Sequence, residues 1–205
     1  MIERMKKILD LYSGLGGASE AFLLSKRWDV MRIENNELLN QVPNTQMADV
    51  KELLNHLQNS QLPLDHRVDV VWSSPPCLEF SQAYSAPGPV AQRAGEDFTP
   101  DMSHLEATLE IIAILKPKYW IIENVVGAIK HFRDLLGEPR QIHGAIVLWG
   151  NYPMFEPDVF KTKAQKDKRH DPLRSNIRAK IPIEVSSALL EAIENQHSIF
   201  DFIES

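Results

Sequence analysis

Two hydrophobic periods alternate along the chain. Ile8–Tyr12, Val30–Glu34, Val68–Trp72, Tyr119–Glu123 and Ala145–Trp149 are short apolar runs, several rich in β-branched residues, and read as strands. Between them Ala18–Leu24, Val50–Leu57, Leu105–Leu115 and Pro182–Ile193 repeat apolar residues at three- and four-residue spacing, as helices do. Pro117 closes the third helix and Pro182 sits near the first turn of the last. Strands alternating with helices imply a parallel sheet covered on both faces, so the expected fold class is α/β: a Rossmann-like, doubly wound, mostly parallel sheet in a single domain spanning 1–205. Two stretches lack periodicity. Residues 85–100, with Pro87, Gly88, Pro89, Gly95 and Pro100, read as a loop of a length that is usually functional or mobile. The other runs from Pro157 to Ile177.

Composition removes several classes. In 205 residues, apolar types make up 43% and charged types 24%, an ordinary globular mixture, which excludes disordered and fibrous chains. No apolar run approaches the ~18–20 residues of a membrane span, and no secretory signal follows Met1, so a cytoplasmic protein is expected. Cys77 is the one cysteine, which excludes an internal disulfide and a multi-cysteine zinc site; no metal is implied. The formal net charge is -6, whereas a polyanion-binding domain is usually basic. Charge is unevenly distributed, however. Lys161, Lys163, Lys166, Lys168, Arg169, Arg174, Arg178 and Lys180 face only Asp167 and Asp171 across residues 161–180.

Ligands of open α/β sheets sit at the carboxyl ends of the strands, and three candidate features fall there. The first strand ends in Ser13-Gly14-Leu15-Gly16-Gly17, where the missing Cβ atoms let backbone approach a ligand closely. Glu34 ends the next strand, near the position of an acid that accepts hydrogen bonds from a ribose diol. The loop lacks the lysine of a phosphate-binding loop, which disfavours a nucleoside triphosphate. Pro75-Pro76-Cys77 follows the Val68–Trp72 strand. A lone cysteine is by default a small buried hydrophobe. A rigid turn before it and polar Glu79 and Ser81 after it fit a thiolate nucleophile better. Glu123-Asn124-Val125 ends a further apolar strand.

Together these residues resemble the cytosine-C5 DNA methyltransferases. Asp10-Leu11-Tyr12-Ser13-Gly14-Leu15-Gly16-Gly17-Ala18-Ser19 is similar to the family's first motif, Pro75-Pro76-Cys77-Leu78-Glu79-Phe80-Ser81 to its nucleophile motif, and Glu123-Asn124-Val125 to its Glu-Asn-Val triplet. The resemblance covers about residues 8–130. It implies the S-adenosylmethionine-dependent methyltransferase type of fold, with that cofactor as methyl donor. Tyr12, Ser13, Gly14, Gly16, Gly17, Glu34, Asn35, Asp49 and Pro75 would bind it: the glycine loop around the methionine portion, Glu34 on the ribose, Asp49 at the adenine amino group. Cys77 would attack C6 of cytosine, and Glu123 would hydrogen-bond N3 and the exocyclic amine. A cytosine within a duplex is out of reach of this attack, so base flipping is implied. Residues 85–100 fall where the family has a mobile loop over the flipped base.

The chain departs from the pattern after Val125. Where the family has Gln-x-Arg-x-Arg, this sequence has Gln141-Ile142-His143-Gly144-Ala145; either His143 takes the arginine's place or Arg140, Arg174 or Arg178 does. With Ser81 and Asn124 these form the expected substrate-binding set. Leu78 replaces the glutamine after the nucleophile. Arg178–Pro182 and Ser186–Ile193 resemble the closing motif, yet only about 25 residues precede it after Trp149. A basic loop, 157–180, stands where the family inserts a target-recognition domain, and could supply phosphate contacts. The expectation is a DNA (cytosine-5-)-methyltransferase of prokaryotic or viral origin, with a protein partner as one source of sequence specificity. The alternatives are the same chemistry on RNA or single-stranded DNA, or a catalytically weak methyltransferase-like DNA-binding subunit that needs a partner.

Overall fold

A computed structural model describes residues 4–59, 67–159 and 171–196. Its centre is one seven-stranded sheet: β1 (Lys6–Leu11), β2 (Trp28–Glu34), β3 (Thr45–Met47), β4 (Val70–Ser73), β5 (Tyr119–Asn124), β6 (Gln141–His143) and β7 (Ile146–Asn151), in the spatial order β3-β2-β1-β4-β5-β7-β6. The first five strands run parallel, and β7 lies antiparallel to both β5 and β6. The sheet is therefore mixed at one edge rather than wholly parallel. The reason is local: Gly144, at φ +64°, lies between β6 and β7 and lets the chain reverse within two residues.

Adjacent residues of the central strands point to opposite faces, and both faces are apolar, as a doubly covered sheet requires. On one face Ile8, Val30, Val70, Trp72, Ile121 and Leu148 pack with α1 (Glu20–Ser25) and α7 (Ile183–Glu194) through Phe22, Val185 and Leu189. On the other, Leu9, Leu11, Ile33 and Val71 meet α2 (Val50–Gln58) and α4 (Ser103–Leu115). Further along that face Ile122, Val147 and Trp149 meet α5 (Ile129–Leu136), centred on Phe132. This is the doubly wound arrangement expected from the alternation of elements.

Short elements account for the differences from expectation. β3 and β6 are three residues each with no fully buried side chain, so they carry no hydrophobic signature. Residues 85–100 hold a helix, α3 (Pro87–Ala94), which Pro87 starts at its first position and Gly95 ends in the left-handed region. Within 157–180, α6 (Arg174–Ala179) is helical, with no buried residue to show a period. The basic residues Lys161, Lys163, Lys166, Lys168 and Arg169 lie outside the described residues. Among the described residues no helix is long and apolar enough to cross a membrane.

Phe132 links this core to the loop that carries Cys77. It is fully buried, with ring centroids 5.0 Å from Phe80 and 5.2 Å from Trp149, and Phe80 lies three residues past Cys77. Phe132→Ala should cost about 3–5 kcal/mol by urea unfolding, the range for emptying a buried aromatic site. A cost below about 1 kcal/mol would show that the loop does not rest on this core.

Candidate active site

Parallel pairing brings the ends of β1, β2, β4 and β5 to one rim of the sheet. The glycine turn, Glu34, Pro75–Cys77 and Glu123 all lie there.

The turn is held from below by a buried polar row. Asp10 on β1 sits in register with Arg32 on β2 and Trp72 on β4. Ser19 donates its hydroxyl to Asp10 Oδ2 at 2.6 Å and accepts from Arg32 Nε at 2.9 Å. The Arg32 guanidinium also donates to the carbonyls of Gly16 (2.9 Å) and Pro43 (2.8 Å). Sequence reasoning missed Arg32, although a signal was present: it shares the inward phase of β2 with Val30 and Glu34, where a charge needs partners. Glycine is required at two points. A Cβ on Gly16, whose φ is +72°, would lie 2.4 Å from the Arg32 guanidinium carbon, and one on Gly17 would lie 2.2 Å from the Ile181 carbonyl oxygen. The second approach docks the segment ahead of α7 against the turn, supported by Lys180–Glu20 (2.7 Å) and by Ala21 N donating to Ser186 Oγ (3.3 Å).

Glu34 organises the turn from the β2 side. Its carboxylate accepts from the backbone amides of Gly14 (2.7 Å), Asn35 (3.0 Å) and Asn36 (2.9 Å). The Asn35 amide donates to Asp49 Oδ2 at 3.0 Å, while Asp49 Oδ1 caps α2 by accepting from Lys51 N. Tyr12, at φ +54°, stands edge-on to His104 at 5.5 Å and donates to its carbonyl. Burial, with Asp49 adding to it, pushes the Tyr12 phenol well above its ordinary value. The structure therefore brings Tyr12, Gly14, Glu34, Asn35 and Asp49 into one cluster. Ser13 Oγ and Asp10 Oδ1, both buried, have no hydrogen-bond partner there.

The second cluster spans β4 and β5. Ser73 pairs with Ile122, so the next residues along the two parallel strands are Ser74 and Glu123. Asn124 donates its side-chain amide to the Pro75 carbonyl at 3.1 Å and so ties the triplet to the proline turn. Cys77 is half-buried and opens a short turn at Leu78–Phe80. Burial raises its thiol, and the Glu123 carboxylate raises it further. Burial also lifts the Glu123 carboxyl to about 7, against the opposing pull of a hydrogen bond with Ser74. Asp10 is likewise lifted to about 7 by burial, with Ser19 and Arg32 opposing.

The remaining expected residues lie elsewhere. Arg140 places its guanidinium over the Tyr152 ring at 5.4 Å. His143 stacks on Phe155 at 5.4 Å with a buried Nε2, and Ser81 Oγ accepts from Ala83 N. Arg174 and Arg178 are exposed on α6, whose Asn176 meets Asn36 at 3.5 Å. Among the described residues no hydrogen bond or ion pair joins any of these to Cys77 or Glu123.

Comparison with known proteins gives the family. The family model for C-5 cytosine-specific DNA methylase matches residues 6–137. A protein of Frog virus 3 (isolate Goorha), named "Probable DNA (cytosine-5)-methyltransferase", is 29% identical over 123 residues, covering 58% of this chain and 53% of its own. The chain thus spans about half the length of that relative. Two solved structures are more distant. A prophage-encoded protein from E. coli classed with the DNA modification methyltransferases is 20% identical, with TM-score 0.38 over 62% of this chain and 34% of its own. The SAM-dependent methyltransferase from Agrobacterium tumefaciens is 13% identical, with TM-score 0.44 over 73% and 56%.

Carboxyls raised in the fold carry a stability consequence. Unfolded, Asp10 and Glu123 titrate near 4; folded, both titrate near 7. The native state holds the extra protons between those values, so stability is greatest below about pH 4 for these two groups and falls as pH rises through about 7. Glu123→Gln should flatten part of that slope and stabilise the protein at pH 8 by roughly 1–2 kcal/mol. Denaturant melts at pH 5 and pH 8 check this; equal slopes for both proteins would contradict it.

Proposed function

The chain belongs to the C-5 cytosine-specific DNA methylase family, and from that premise we propose that it transfers a methyl group to C5 of cytosine in DNA through a covalent adduct on Cys77. The observation that carries this reading is that the parallel β4–β5 register and the bond from Asn124 to the Pro75 carbonyl bring the Cys77 turn and Glu123 to one sheet rim.

Cytosine C5 is a poor nucleophile until a thiolate adds at C6. As the Cys77 sulfur bonds to C6, the C5=C6 electron pair is displaced into the ring, and N3 takes the proton held by Glu123. C5 then bonds to a methyl group whose donor leaves with the bonding electron pair, and N3 returns its proton to Glu123. Loss of the C5 proton to water re-forms the C5=C6 bond as the S–C6 bond breaks and its electron pair returns to the Cys77 sulfur. A carboxyl lifted to about 7 is poised to give up that proton near neutrality. The pair of thiolate and protonated carboxyl carries the same total charge as thiol and carboxylate. The site therefore reaches its reactive form without a net change of protons.

S-adenosylmethionine would supply an electrophilic methyl group. Residues of the first cluster fit it. Ser13 offers a buried hydroxyl with no partner at the glycine turn, and the Glu34 carboxylate, fixed by three amides, keeps a lone pair on Oε2 for a ribose hydroxyl. Asp49 stands beside Tyr12 and Asn35 for the adenine amino group. Pro75 is buried at the same rim, its carbonyl held by Asn124.

Arg174 and Arg178 are exposed cations suited to phosphate contacts, which position a nucleic acid without reading its sequence. Base-reading specificity would come from a protein partner, and α3 with its flanks would close over the extruded base.

Duplex DNA containing 5-fluorocytosine should trap the protein as a denaturation-stable adduct in the presence of cofactor, with RNA and single strands as parallel arms. Cys77→Ala should abolish trapping, and Glu123→Gln should slow transfer by roughly 10²-fold or more. An adduct that survives Cys77→Ala would overturn the reading; trapping only on RNA or single strands would reassign the substrate.

A further inference from the structure

Ser74 is absorbed by neither the motif nor the cofactor cluster, yet it occupies the position beside Glu123. It follows Ser73 on β4, whose partner on β5 is Ile122. From two residues earlier on the same side of the strand, Trp72 donates its indole N–H to Ser74 Oγ at 2.9 Å. Trp72 is fully buried within the core, so this donor does not swing away.

An indole nitrogen only donates, and a serine hydroxyl has one proton and two lone pairs. With Trp72 occupying a lone pair from below, the Ser74 hydroxyl keeps its proton free to donate, and the strand register sets Glu123 as its neighbour on β5. Building on the proposed reaction, we infer that Ser74 is a positioning residue. Locked by Trp72, it donates to one oxygen of Glu123 and leaves the other oxygen to face the base and exchange the proton with N3. The bond favours the ionised carboxylate, in keeping with the direction in which Ser74 acts on Glu123. Other elements leave this control to Ser74. Across β5–β7 the residue opposite Glu123 is apolar Leu148, and on the next strand His143 is stacked on Phe155. From the loop after β4, the titratable neighbour is Cys77.

The test reads Glu123 directly, by carbon NMR titration of its side-chain carboxyl in protein labelled at glutamate, with no substrate present. Ser74→Ala should move the Glu123 titration to higher pH, and Ser74→Thr, which keeps the hydroxyl, should restore it. On duplex DNA, Ser74→Ala should lower kcat about tenfold at an unchanged KM for DNA, and its alkaline limb should follow the shifted carboxyl. Trp72→Phe, with Ser74 intact, should shift the titration the same way by less. Ser74→Cys, a weaker donor of similar size, gives the same reading if Ser74→Ala does not fold. An unchanged titration in both Ser74→Ala and Trp72→Phe, or a shift that Ser74→Thr does not reverse, would overturn the inference. Failure of the wild-type protein to trap 5-fluorocytosine would instead overturn the reaction assignment, leaving the titration result to stand by itself.

Discussion

Parallel pairing of β4 with β5 is the constraint on which the site depends. Two strands that run the same way end at the same rim, so a turn after one and an acid at the end of the other meet without any long-range search. The pairing runs from Val70–Tyr119 to Ser73–Ile122, and the bond from Asn124 to the Pro75 carbonyl extends it beyond the last ladder position. Slippage of β5 by one residue would send Glu123 to the opposite face of the sheet. Full burial of Val70, Val71, Ile121 and Ile122 on two apolar faces opposes that slip.

The same rim is where the fold is held against its own preference. Two carboxyls, Asp10 and Glu123, are buried enough to resist ionisation, and a thiol sits beside one of them. Asp10 serves the scaffold: through Ser19 and Arg32 it fixes the carbonyls of Gly16 and Pro43, and so joins the glycine turn to the loop leading into β3. For Glu123, by contrast, burial is opposed among the described residues by Ser74. A carboxyl buried at such a cost is what the proposed reaction would use, an acid poised near neutral pH.

Much of this was legible in the sequence because the signals were strong and local. Apolar five-residue runs gave the central strands, and glycine, proline and acid types at the strand ends gave Gly14–Gly17, Cys77 and Glu123. The illegible parts are those whose burial is decided by tertiary contacts. β3 and β6 pair through backbone alone, and the reversal at Gly144 that turns β7 antiparallel has only a glycine to mark it. Arg32 was visible only as a charge in an inward phase, and Trp72 only as the last residue of the Val68–Trp72 strand. His143 and Arg140 lie near the expected motif in sequence, but their side chains lie against Phe155 and Tyr152 respectively, Arg140 while still exposed.

The central claim is that one sulfur and one carboxyl share an electrostatic site. The single cysteine makes this directly measurable as the pH dependence of Cys77 alkylation by iodoacetamide, in the wild-type protein and in Glu123→Gln. Removing the negative charge should bring the thiolate out at lower pH, moving the reactivity curve of Glu123→Gln to the acid side of the wild type. Superimposable curves would mean that the two groups do not sense each other, and would contradict the account.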